Sequence, residues 1–100
     1  MRVVIENESY DTDNAEQVAI WESAYPCPHP RHCEEALYRT NKGVWFIWGS
    51  GGALTPWAQQ VGRDYVSGQG VRILAWEQIR QWCKDREINH IALEEYGATV

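Results

Sequence analysis

The stretch EEALYRTNKGVWFIW, residues 34–48, restricts the possible folds more than any other part of the chain. Two segments rich in β-forming residues flank Asn41-Lys42-Gly43, where the glycine can take the left-handed position that a tight hairpin turn requires. VWFIW is apolar at every position rather than at alternate ones. A strand of that kind is covered on both faces and belongs in the middle of a sheet. The fold is therefore expected to be organised around a central hairpin.

Around it, RVVIE at 2–6 reads as a short strand, with a turn at Asn7-Glu8 into a second short strand ending near Tyr10. VRILA at 71–75 reads as the last strand. Four helices are expected. Asp13 with Glu16 makes a D-x-x-E start signal for one, whose apolar face would be Ala15, Val18, Ala19 and Trp21, running to about Glu22 or Ala24. Thr55-Pro56 pairs an N-cap with a first-turn proline for a short helix through about Gln60, after which Gly62, Gly68 and Gly70 interrupt regular structure. WEQIRQWCKDRE places Trp76, Ile79, Trp82 and Cys83 on one helical stripe, and Asn89 caps a final short helix that Gly97 ends. The sum is a single α+β domain over 1–100: a three- or four-stranded, mainly antiparallel sheet with helices packed against it.

Six Trp, five Tyr and one Phe supply the apolar area that a chain of 100 residues needs. Trp45, Trp76 and Trp82 fall on expected core faces, whereas Trp48 and Trp57 are expected to be the more exposed ones. The net charge is −5, with nine Lys and Arg scattered among fourteen acids. That balance argues against direct nucleic-acid binding, which calls for a basic face. It suits instead the basic surfaces with which other proteins hold nucleic acid. No apolar stretch is long enough for a bilayer or a signal peptide, so a cytosolic protein without membrane association is expected.

Candidate chemistry is concentrated in CPHPRHC, residues 27–33, where the prolines at 28 and 30 follow Pro26. Cys27, His32 and Cys33 are the candidate zinc ligands there, with Cys83 or His90 as a distant partner. Structural zinc sites, however, pair ligands two to four residues apart and well removed from a second pair, and this spacing does not comply. A Cys27–Cys33 redox pair lacks the cationic surroundings that lower a thiol pKa. A proline-stiffened connecting loop is the favoured reading, with no cofactor; zinc is the alternative. GSGG at 49–52 lies where phosphate cradles occur, between a strand and an expected helix, but neither G-x-x-x-x-G-K-[ST] nor G-x-G-x-x-G is present. Ser50 and Ser67 lack a nucleophile-elbow context. Glu34-Glu35 and Glu94-Glu95 read as solvated carboxylates. No catalytic residue is assigned.

YDTDNAEQVAIW, ALYRTNKGVWFIWGSGGALTPWAQ and LAWEQIRQWC together cover most of the chain. In these segments it resembles a group of small uncharacterised proteins scattered through bacterial genomes, phages and other mobile elements. Small acidic proteins of that setting often bind and disable a host machine, anti-CRISPR proteins being the familiar example. The resemblance thus implies a non-enzymatic inhibitor that blocks a basic surface of a host protein complex, with a CRISPR effector among the candidates. Glu34, Glu35 and Asp64 are the expected contact carboxylates, and Trp57 and Tyr65 the aromatic anchors. The alternatives are a small ligand-binding protein or enzyme using the 49–52 glycine loop, and a structural zinc-binding domain.

Overall fold

The structure, a computed structural model, describes residues 2–5, 8–86 and 88. The helix expected after Asn89, together with His90 and Glu94-Glu95, lies outside the described residues.

The central hairpin is as expected. Strands β4 (Cys33–Arg39) and β5 (Trp45–Gly51) pair from Arg39↔Trp45 to Cys33↔Gly51. Their turn is closed by the Thr40 amide donating to the Val44 carbonyl at 2.9 Å, and Gly43 takes φ 82°. The two lie at the centre of a four-stranded antiparallel sheet, β3-β4-β5-β8, where β3 is Glu16–Glu22 and β8 is Gly68–Leu74. The expected N-terminal hairpin also forms, with β1 (Arg2–Ile5) against β2 (Glu8–Asp11). The helix α1 (Trp76–Asp85) buries Ile79, Trp82 and Cys83.

Two expected helices are corrected to strands. Residues 16–22 form β3, paired with β4 through Ala19↔Leu37 and Trp21↔Glu35 after an irregularity around Val18. Where Asp13 and Glu16 suggested a helix start, the preceding Asp11 holds a turn instead. Asp11 accepts from the Asp13 amide at 2.9 Å and from the Asn14 side-chain amide at 3.0 Å, a use of Asp that competes with helix. After Thr55-Pro56 there is likewise no helix. The Thr55 hydroxyl donates to the Gly52 carbonyl at 2.8 Å and accepts from the Trp57 amide at 3.3 Å. The chain then enters β6 (Gln59–Val61), which pairs with β7 (Asp64–Val66). The fold is accordingly mostly sheet, with one helix among the described residues.

Alternation along the strands gives the four-stranded sheet two different faces. One carries Trp21, Cys33, Glu35, Leu37, Trp45, Ile47 and Leu74, and α1 packs there to make the main core with Ile79, Trp82 and Cys83. On the other face Tyr10 of β2 meets the Phe46 ring edge-on, and Tyr38 stacks on Phe46. No helix among the described residues is long and apolar enough to cross a membrane.

Candidate functional site

Register places Glu22, Glu34, Ser50 and Gln69 in one row across all four strands, on the face away from α1. The CPHPRHC loop folds down beside this row. It is laced to the glycine segment by the Gly52 amide on the His32 carbonyl at 2.9 Å and the Leu54 amide on the Pro30 carbonyl at 3.0 Å. The two stretches singled out in the sequence thus come together. They border a pocket of about 570 Å³, with Cys27, His29 and His32 on one side and Ser50, Gly52 and Gln69 on another.

Half-buried His32 is the best-anchored polar group there. Its Nδ1 lies 2.7 Å from the Tyr25 carbonyl oxygen, and its Nε2 lies 3.2 Å from a Glu34 carboxylate oxygen. One ligand atom each from Glu22, His32 and Glu34 lies within 4.8 Å of the others. His29, also in the loop, stacks on Tyr25 with ring centres 4.6 Å apart.

The Tyr25 carbonyl, as the largest cause, and the Glu34 carboxylate raise the His32 pKa above its ordinary 6.5, against a smaller lowering by burial. A raised folded-state pKa means that the imidazolium's contribution to stability is fully present below pH 6.5 and is lost as pH rises through the folded-state value. Ring-proton NMR should therefore find His32 titrating above 6.5. His32→Gln should narrow the stability difference between pH 5.5 and pH 8. A midpoint at or below 6.5 would contradict the geometry.

Among the described residues, the three cysteines do not gather into one cluster with His32. Cys33 lies on the opposite face from Glu34 and is buried, and burial with the Glu35 charge pushes its thiol up to about 11. Cys27 is exposed and Cys83 is buried in the core, and all three are free thiols. Burial also raises the Cys83 pKa. The structure brings His32 together with two carboxylates rather than with Cys27 and Cys33. The glycine cradle is corrected. No helix follows it, and side-chain positions at Gly49, Gly51 and Gly52 are taken by the Trp57 ring, Thr55 and the Pro30 backbone. These glycines allow close approach.

Of the expected contact residues, Glu34 sits with His32, and the other four separate into two groups. Glu35 is 3% exposed, so the solvated reading is overturned. Its carboxylate pairs with the Arg86 guanidinium and accepts from the indole N–H groups of Trp57 at 2.8 Å and Trp82 at 3.0 Å. Trp57 is half-buried against the core, with Arg72 over its ring, and does not stand out as an exposed anchor. Arg86 lies over the rings of Trp21 and Trp82. This cluster is a structural centre, and it takes Glu35 and Trp57 away from any contact surface.

Asp64 and Tyr65, by contrast, stand on an exposed arm. The β6–β7 hairpin turns through Gly62-Arg63, with Gly62 at φ 62°, and every residue from Gln59 to Val66 is exposed. Val61 is 56% and Tyr65 59% exposed, and neither strand packs extensively on another element. Register puts Val61 and Val66 on one side of the ribbon and Tyr65 on the other. This arm was missed in the sequence, although Gly-Arg between QQV and DYV is a two-residue hairpin signal. Compared with known proteins, the chain matches no family model, no curated protein and no solved structure.

Proposed function

We propose that this protein is a non-enzymatic binding module that engages another protein through the β6–β7 arm. The observation that carries this reading is the arm itself, which exposes apolar side chains on both sides, Val61 and Val66 on one and Tyr65 on the other. A lone two-stranded ribbon is marginally stable in water. Placing Val61, Val66 and Tyr65 on such a ribbon is costly for solubility unless a partner covers them. Tyrosine is also a frequent interface hot spot, and Asp64 beside Tyr65 suits a basic group on the partner. A host protein complex, with a CRISPR effector as one candidate, accords with the acidic net charge and with the resemblance to mobile-element proteins. The pocket beside His32 supports the alternative of a small ligand.

The test compares the immobilised wild-type chain with a Val61→Ser/Tyr65→Ala variant in nuclease-treated host lysate. A near-stoichiometric protein should be retained by the wild type and reduced at least tenfold with the variant, at unchanged melting temperature. Equal retention by both would reject the arm and move the weight to the pocket.

A further inference from the structure

We propose that Glu22, His32 and Glu34 form a binding site for a divalent metal ion of the zinc class. The site is independent of the arm and uses none of its residues.

Glu22 and Glu34 are direct partners in the β3–β4 ladder, so both side chains leave the sheet on the same face. Like charges directly opposite each other in a sheet are destabilising. Among the described residues no Lys or Arg pairs with either carboxylate; the one positive group that faces them is His32, when protonated. The pair therefore lacks a permanent counter-charge, and a divalent cation supplies the missing two units.

The histidine is oriented for this use. A neutral imidazole that donates from Nδ1 to the Tyr25 carbonyl carries its lone pair on Nε2, the nitrogen that faces Glu34. Metal-bound histidines are commonly held this way, with the far ring N–H on a backbone carbonyl or carboxylate. The three ligand atoms lie within 4.8 Å of one another. Ligand atoms bound at roughly 2.0–2.2 Å to a tetrahedral ion are about 3.3–3.6 Å apart. Because Glu22 is exposed and Glu34 only half-buried, their rotamers can close that gap without moving the strands.

The donor set also selects the ion. One imidazole with two carboxylates suits zinc and its first-row neighbours, whereas calcium and magnesium prefer oxygen alone. Three protein ligands leave a fourth position free for water. Binding must displace the proton that bridges Nε2 and Glu34 in the imidazolium form, so affinity falls as pH is lowered.

The experiment is calorimetric titration of the full chain with zinc chloride at pH 7.5, in reduced protein without chelator. Cys27→Ser is the control for adventitious binding by the exposed thiol. The expected result is one saturable equivalent that persists in Cys27→Ser and is weakened at least tenfold in both Glu22→Gln and Glu34→Gln. Zinc should also raise the melting temperature of the wild type but not of the Glu22→Gln/Glu34→Gln double variant. That variant removes like charges from the surface and should itself stay folded, as circular dichroism will show. No saturable binding, or zinc affinity unchanged by both Glu substitutions, would overturn the assignment.

Discussion

Glu35→Gln is expected to be among the most damaging single substitutions in this protein. Glu35 is the one buried charged residue among those described, and its two oxygens serve Arg86 and the indole N–H groups of Trp57 and Trp82. A carboxylate is acceptor-only and matches three donors. Glutamine brings two N–H donors of its own to a place already crowded with donors. It also leaves the Arg86 guanidinium, held against Trp21 and Trp82, without its counter-charge. Breaking a buried pair by removing one partner typically costs about 3–5 kcal/mol. On a domain of this size each 1 kcal/mol moves the melting temperature by about 4–8 °C, so the fall should exceed about 10 °C. Thermal unfolding followed by near-UV circular dichroism reads this directly. A change of a few degrees would mean that the carboxylate is not holding the three groups together. The same result decides how binding variants are chosen. Charge reversal at Glu35 would report on folding, so only Asp64 and Glu34 remain useful among the acidic candidates.

What was legible in the sequence was set by contacts close along the chain. VWFIW announced its strand because five consecutive apolar residues leave no wet face, and the Trp76–Cys83 stripe announced α1 because helical spacing is a local property. Residues 16–22 were misread because Asp13, Glu16 and two alanines carry a local helical signal. What decides them is the pairing of Ala19 with Leu37 and of Trp21 with Glu35, contacts made across the sheet. That one error concealed the carboxylate site. Glu22 meets Glu34 only if β3 is a strand in this register. The burial of Glu35 had a signal in plain view, since Glu35 shares its parity with Cys33 and Leu37 in a strand and so points inward with them. Its partners Trp57, Trp82 and Arg86 come from distant segments, and no local pattern names them.

Gly49→Ala is expected to cost about as much as removing the Trp57 side chain, and for the same reason. Gly49 lies on the α1 face of β5, opposite Glu35 and Gly70. A Cβ built there would overlap the Trp57 indole, and Gly70 also faces that ring. The two glycines form the slot that lets the indole lie flat on the sheet and reach Glu35. Trp57→Ala empties the slot and removes one donor from the buried carboxylate, which should cost about 3 kcal/mol for a half-buried aromatic side chain. Gly49→Ala leaves the tryptophan in the sequence but forces it out of the slot, forfeiting the same contacts. The decisive measurement is the double variant. With Trp57 already alanine, the indole atoms that a methyl group at position 49 would strike are gone, and the methyl fills part of the void. Alanine is also stiffer than glycine in a strand and restores about 0.5–1 kcal/mol. Adding Gly49→Ala to Trp57→Ala should therefore be neutral or slightly stabilising. Denaturant unfolding of the four proteins should give a coupling energy of about 3 kcal/mol between the two positions. If the two costs simply add, the indole does not occupy the glycine slot, and the route by which Trp57 reaches Glu35 must be a different one.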